Sequence, residues 1–392
     1  MESFRLDKTV AIRVIQGHPW IYRNELPKLP LDFPPGELVE LVDPKGRFIA
    51  IGYCNPKSVI SVRILSRERE KIDGDFFLRK IASADAYRKR FYAGEESYRV
   101  VYSEADLLPG LIVDRYGSYI VIQVLTAGME RHTESILAAI ESLFSPQAIV
   151  ARNDIPSRAL EGFPVERKVL SGKLEPPVVI SKNGLAFEID LLEGQKTGFF
   201  LDQSENYLQL EGLVAGGEVL DTFCYTGGWS VHAARFGAKG VIGIDASEGA
   251  LDIARRNAAR NGFESRCRFE AGNVFDLLKA QEGEGREYDC IILDPPSFVK
   301  RRKEIENAVR GYKEINLRAM KLLRPGGFLL TCSCSYHLSE GRFREILLDA
   351  ARDVGRTLRL VTLRSQAKDH PVLLPLPETE YLKCAVLQVL SP

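Results

Sequence analysis

Tyr288-Asp289-Cys290-Ile291-Ile292-Leu293-Asp294-Pro295-Pro296-Ser297-Phe298 is the most informative run in this sequence. Residues 290–293 are continuously apolar with polar flanks, the signature of a strand buried on both faces. Asp294 closes the strand, and two prolines cannot extend a sheet ladder. The run therefore delivers a carboxylate to the carboxyl end of a central strand, the edge at which open α/β sheets bind ligands. The competing reading is a turn leading into a helix that happens to hold two prolines.

On either side of this run, strand and helix alternate from about residue 217. Residues 218–223, 241–245, 268–270 and 288–294 read as four strands, with helices near 229–236 and 248–260. Ile305, Ala308, Tyr312, Ile315, Ala319, Leu322 and Leu323 mark a long helix, which Pro325-Gly326-Gly327 is expected to stop. A fifth strand follows at 328–332. Residues 358–363 and 381–390 are two closing strands with no helix between them, which predicts an antiparallel hairpin at the sheet edge. The fold class is α/β: a Rossmann-like, seven-stranded, mostly parallel sheet covered on both faces.

Asp221-Thr222-Phe223-Cys224-Tyr225-Thr226-Gly227-Gly228 follows the first strand. Glycines before a helix permit close backbone approach to a ligand. Asp245 ends the second strand, where an acid binds the ribose hydroxyls of an adenosine. The pattern is not GxGxxG, so the helix start is poorly built for a pyrophosphate. A nucleoside without phosphates fits better, which favours S-adenosylmethionine over NAD. Asn273, ending the third strand, is placed to read the adenine edge or, as readily, to cap the next helix. Gly194-Gln195-Lys196-Thr197-Gly198-Phe199-Phe200-Leu201-Asp202-Gln203 has little apolar period. It reads either as a loop closing over the methionine end of the cofactor, with Lys196 meeting a carboxylate, or as a surface connection.

The fifth strand continues as Cys332-Ser333-Cys334-Ser335, which brings Cys334 to the same edge as Asp294 and leaves Cys332 deeper. Asp-Pro-Pro followed by an aromatic residue grips a planar base in one large class of enzymes, here through Pro295, Pro296 and Phe298. A thiol beside that grip suggests pyrimidine C5 methylation. Carbon 5 of cytosine is a poor nucleophile; thiolate addition at carbon 6 makes it enamine-like, able to attack a sulfonium methyl. Asp294 is placed to share the proton that the ring nitrogen gains. A base must then remove the carbon-5 proton, and no residue is identified for it. A free thiol titrates near ~8.5, so a reactive Cys334 needs a positive or hydrogen-bonding setting; the alternative is an inert buried thiol. No metal is expected at Cys332-x-Cys334-x-x-His337, because structural zinc needs four ligands at other spacings. Arg301 and Arg302 form a basic loop suited to RNA phosphates. His370, in Asp369-His370-Pro371, either orients substrate or is a capped loop histidine.

Upstream, residues 1–70 read as all-β, with strands at 37–42, 48–53 and 59–65. Gly17-His18-Pro19-Trp20-Ile21-Tyr22 is expected to start a short helix. The small barrel is similar to a PUA domain, an RNA-binding appendage. The basic residues from Arg63 to Arg90 interleave with acids and read as a solvated helical face, with phosphate contact as the competing reading. Residues 72–175 suggest a small α/β or α+β domain without a catalytic constellation, and Asn183-Gly184 a tight hairpin turn. Lys plus Arg is 53 and Asp plus Glu is 53, which argues against wholesale coating of a polyanion yet permits a local basic groove. No run is long enough for a bilayer and no leader is evident, so a cytoplasmic protein is expected. Its seven cysteines then read as free thiols.

Taken together, GHPWIYRNEL, LPGLIVDRYG, KTGFFLDQ, DTFCYTGGWSVHAA, DPPSFV, RGYKEIN, LLTCSCS and DHPV resemble the RlmI-type 23S rRNA cytosine-C5 methyltransferases along nearly the whole chain. The resemblance implies a PUA-like domain (1–71), a central α/β domain (72–175) and a class I methyltransferase domain with its leading hairpin (176–392). It implies S-adenosyl-L-methionine as donor, S-adenosyl-L-homocysteine as product and Cys334 as nucleophile. The donor pocket maps onto Lys196, Gly198 and Phe199, onto Phe223, Tyr225 and Gly227, and onto Asp245, Ala246, Asn273, Val274 and Asp294. The substrate side takes in Pro295, Pro296, Phe298, Arg301, Arg302 and His370. The implied partner is 23S rRNA, free or in an assembly intermediate, with no membrane; a homodimer is compatible with this. Other RNA cytosine-C5 enzymes keep Pro-Cys in the fourth motif, which is absent here, so product release must use another group. Two other readings stay open: a methyltransferase acting on an exocyclic amine without a thiol, and a non-catalytic rRNA-binding factor.

Overall fold

The computed structural model describes residues 1–26, 29–298 and 305–390. They form two compact units. The first takes in Met1–Lys182, Asp190–Leu201 and Lys368–Thr379; the second takes in Asn183–Ile189, Asp202–Ala367 and the segment from Glu380 onward.

The second unit holds one seven-stranded sheet. Its strands are β1 (Glu218–Thr222), β2 (Gly240–Asp245), β3 (Cys267–Ala271), β4 (Tyr288–Leu293), β5 (Leu323–Ser333), β6 (Leu358–Arg364) and β7 (Lys383–Val389). Their spatial order is β3-β2-β1-β4-β5-β7-β6. The first five pair in parallel, while β7 runs antiparallel to both β5 and β6. The helices are α1 (Gly228–Arg235), α2 (Glu248–Arg260), α3 (Val274–Gly283), α4 (Ile305–Leu322) and α5 (Glu340–Asp353). The order reverses between β1 and β4, so the loops after these strands flank the switch point where such sheets take ligands. Cys290, Ile291, Ile292 and Leu293 are wholly buried, which is why this strand shows no alternation. Leu220, Ile291, Leu293 and Leu329 pack against Tyr312, Ile315 and Ala319 of α4 and Phe343 and Ile346 of α5.

Two local expectations are corrected. Pro325-Gly326-Gly327 does not separate α4 from the fifth strand. β5 starts at Leu323, opposite Tyr288, and the ladder resumes at Phe328 opposite Cys290, so the three residues are absorbed as a bulge. Helix α5 is additional to the elements expected, and α3 is the helix that Asn273 is placed to cap.

The first unit carries two five-stranded sheets. In the N-terminal sheet, 17–22 does not begin a helix. Trp20–Tyr22 is a strand, with Trp20 opposite Arg63, and the helix lies earlier, at Lys8–Ile15. Pro19 disfavours helical backbone before it, and Trp, Ile and Tyr suit a pleated surface. The second sheet is built from Ser97–Tyr102, Leu111–Tyr116, Tyr119–Val124, Ala148–Arg152 and Arg167–Gly172. Two arginines expected on a solvated face are instead held in ion pairs: Arg63, largely buried, with Glu161 at 3.1 Å, and Arg88, fully buried, with Asp106 at 2.7 Å. Val178–Lys182 and Leu185–Ile189 flank the Asn183-Gly184 turn, and the chain passes between the two units there. All seven cysteines are free thiols. Among the described residues no helix is long and apolar enough to cross a membrane, and no side-chain group is arranged to hold a metal ion.

Candidate active site

Three carboxylates gather on the carboxyl edge of the second unit's sheet: Asp221 near the end of β1, Asp245 ending β2 and Asp294 just after β4. The loop between β1 and α1 is wound tightly. Phe223 (φ 60°) and Tyr225 (φ 49°) are left-handed, a conformation that costs an aromatic residue energy and that clusters at binding sites. The winding aims the Tyr225 amide at Asp245 Oδ2 (2.9 Å), while the Ser247 amide donates to Oδ1 (2.9 Å). Asp245 stays half-exposed at the rim. The two glycines at the start of α1 are closely packed. A Cβ on Gly227 would meet Ala254 and Phe269 at 3.2 and 3.4 Å, and one on Gly228 would lie 2.8 Å from the Tyr207 hydroxyl. They permit close helix packing.

Asp294 accepts hydrogen bonds from Gln203 Nε2 (3.0 Å to each oxygen) and from the indole N–H of Trp229 (2.9 Å). Gln203 is itself held by Asn206, which donates to its Oε1 at 2.7 Å, and Arg364 donates to Asn206 at 3.2 Å. Tyr207 packs edge-on against Trp229 with ring centroids 4.8 Å apart. Burial, reinforced by Asp294, Asp202 and Asp221, pushes the Tyr207 hydroxyl well above its ordinary range. Asp221 is fully buried. Its Oδ2 accepts from Ser230 at 2.6 Å, and its Oδ1 has no partner among the described residues. Burial, together with Asp294 and Asp245, pushes this carboxyl up to about 8. An acidic edge with an orphaned carboxylate oxygen fits a ligand that carries positive charge, as a sulfonium nucleoside does. Asn273 accepts from the amides of Phe275 and Asp276 at 2.9 and 3.4 Å, so its oxygen caps α3. Val274 is buried in the core and Ala246 is exposed.

Cys334 follows β5 directly. The hydroxyls of Ser333 and Ser335 both reach the Tyr312 hydroxyl, at 3.1 and 3.2 Å, and Ser335 also meets Ser297 at 2.8 Å. Alternation along an extended chain turns Cys334 the other way. It is half-buried, with Sγ 4.0 Å from the Pro295 carbonyl oxygen. Cys332 lies deeper and stands opposite Cys384 in the β5–β7 ladder. Burial holds its thiol well above the ordinary range. Pro295 is buried and Pro296 exposed. The Phe298 ring packs on Tyr312 (4.7 Å) and Phe275 (6.1 Å), so it is engaged with the protein. Arg301 and Arg302 lie outside the described residues.

Lys196, Gly198, Phe199 and His370 belong to the first unit. There Thr197 donates to Asp114 at 2.6 Å and lies 2.9 Å from the Tyr116 hydroxyl, which also accepts from the Phe199 amide at 3.3 Å. Asp114 is fully buried and gripped by Arg99 through two bonds of 2.7 and 2.8 Å. Two motifs far apart in sequence are thus one piece of structure: Asp114 and Tyr116 of LPGLIVDRYG organise KTGFF. Lys196 is exposed, with Nζ 4.3 Å from the centroid of the Phe200 ring. His370 Nδ1 lies 2.7 Å from Asp369 Oδ1. Against the cost of burial, His370, Lys182 and the Arg99 amide hold the Asp369 carboxyl below its usual range. Sequence reasoning missed Gln203 and Trp229, both of which stand inside motifs already singled out.

A PUA-like domain family matches residues 4–67, and an S-adenosylmethionine-dependent methyltransferase family matches residues 165–372. The ribosomal RNA large subunit methyltransferase I of Tolumonas auensis is 38% identical over 391 residues, covering 98% of each chain. That of Shewanella amazonensis is 40% identical over 377 residues, covering 95% of each. This chain belongs to the ribosomal RNA large subunit methyltransferase I family. The methyltransferase uses S-adenosylmethionine as its donor. Among solved structures, the methyltransferase SMU.776 in complex with SAH superposes with a TM-score of 0.86 at 20% identity, covering 99% of this chain and 100% of that one. A SAM-dependent methyltransferase from Streptococcus mutans gives 0.84 at 21% identity, with the same coverage. At such identities the likeness is one of fold. It agrees with the expected architecture of the methyltransferase: a PUA-like N-terminal domain and a Rossmann-like C-terminal sheet with an antiparallel edge.

Proposed function

We propose that this methyltransferase forms 5-methylcytosine in 23S rRNA through a covalent Cys334–cytosine adduct. The observation that carries the reading is the half-buried Cys334 on the same sheet edge as Asp294, its sulfur against the Pro295 carbonyl. The PUA-like domain and the relatives' names support an RNA substrate. In this reading residues 1–71 bind RNA, 72–175 support the KTGFF loop, 176–392 carry the chemistry, and Arg301 and Arg302 meet phosphates.

The Cys334 thiolate adds to carbon 6 of cytosine, forming the S–C6 bond. Ring nitrogen 3 gains a proton, shared with Asp294, whose carboxyl is oriented by Gln203 and Trp229. Carbon 5 then has the electron pair needed to take a methyl group. S-adenosylmethionine, when bound, supplies that methyl as a sulfonium. Loss of the carbon-5 proton to a base and cleavage of the S–C6 bond return the thiolate.

RNA containing 5-fluorocytidine tests this, because fluorine at carbon 5 cannot leave as a proton and the adduct persists. The expected result is a stable protein–RNA adduct on the parent enzyme and none on Cys334→Ala. Full methylation by Cys334→Ala, with the methyl group found on the exocyclic amine by mass spectrometry of digested RNA, would overturn the proposal in favour of direct transfer.

A further inference from the structure

We infer that Lys383 is a positioning residue that keeps Cys334 anionic and holds it at the reactive edge; this rests on the reading of Cys334 as nucleophile. β7 is antiparallel to the strands that carry the site. Its amino end therefore lies at the edge where β5 finishes, and Lys383, its first residue, pairs with Ser333. The residue is only 8% exposed. Its ammonium donates to the carbonyl of Ser335 at 2.7 Å and to that of Tyr381 at 3.0 Å. Two carbonyls accept hydrogen bonds but bring no formal charge to offset a buried cation. The third N–H has no acceptor among the described residues.

The charged and titratable groups around this pair come from three elements. Tyr312 of α4 feels the charge at Cys334, Glu380 precedes β7, and Asp294 ends the β4 side. Burial lowers Lys383 to about 8, and the negative charges of Cys334 and Glu380 oppose that fall. The ammonium therefore remains mostly charged at neutral pH, and its attraction to the Cys334 thiolate is mutual. Lys383 also ties down the Ser335 carbonyl, fixing the backbone on one side of the thiol.

The test is alkylation of Cys334 by iodoacetamide in the full-length protein, followed by peptide mass spectrometry between pH 5.5 and 9.5. Peptide readout separates Cys334 from the six buried cysteines. Lys383→Met is expected to move the midpoint up by about one unit and to slow alkylation at pH 7 about tenfold, whereas Lys383→Arg keeps most of the parent rate. Should Lys383→Met fail to fold, Lys383→Gln retains amide donors for the two carbonyls and gives the same shift. An unchanged midpoint in a folded, uncharged variant overturns the inference. A shifted midpoint in a parent enzyme that forms no adduct with 5-fluorocytidine RNA overturns the nucleophile reading instead.

Discussion

Asp221, Cys332 and Cys334 show how much burial changes a side chain's chemistry. A carboxyl held at about 8 is mostly protonated at pH 7. A sulfonium ion bound at the same edge favours the carboxylate, so binding must release protons. Calorimetry at pH 7 in two buffers of different ionisation enthalpy should show proton release with S-adenosylmethionine and markedly less with the uncharged sulfur of S-adenosylhomocysteine. Equal release by both would place the cation elsewhere. The same group shapes stability. Its folded pKa lies above the unfolded value of 3.8; the contribution of the protonated form is complete below that value and is lost as pH rises toward 8. Asp221→Asn should therefore melt with a shallower decline than the parent between pH 4 and 8, measured by thermal unfolding. Cys332 and Cys334 share a face of one extended run. The former is sealed and inert; the latter is half-buried and chemically available.

Strands and loops here take their shape from partners distant in the chain. Thr197 and Phe199 are anchored by Asp114 and Tyr116, and Asp114 is fixed by Arg99. Removing one hydroxyl and removing a buried charge should differ in cost. Thr197→Val is expected to lose about 1–2 kcal/mol of stability. Asp114→Asn, which removes the buried carboxylate that Arg99 grips, is expected to lose about 3–5 kcal/mol. Urea denaturation measures both, and equal losses would contradict the ion-pair account. The local sequence misled at Trp20–Tyr22 and at Pro325-Gly326-Gly327. In the first, β-forming aromatics overrode a helix-like opening; in the second, a run that normally breaks an element was absorbed as a bulge.

Within the first unit, the N-terminal sheet and the central sheet share buried polar contacts. Arg63 pairs with Glu161 and Glu104, and the Tyr53 hydroxyl donates to the Pro109 carbonyl at 2.7 Å. Arg63→Met would strand two acids and is expected to cost about 3–5 kcal/mol. Chemical denaturation should show that loss, and a loss below about 1 kcal/mol, typical of exposed pairs, would mean that the contact is solvated.

Most of the architecture was legible because it is written in short-range pattern. Apolar runs, Asp-Pro-Pro and alternating strand and helix lie within a few residues of one another, so α/β class, strand order along the chain and the acids at strand ends follow from reading it. The bond from Lys383 to the Ser335 carbonyl beside Cys334, the grip of Gln203 and Trp229 on Asp294, the close packing of Gly227 and Gly228 and the ion pairs of Arg63 and Arg88 do not. Each is a contact between residues far apart in the chain. Such contacts exist only once the strands have paired and the antiparallel edge has turned its amino end toward the reactive rim.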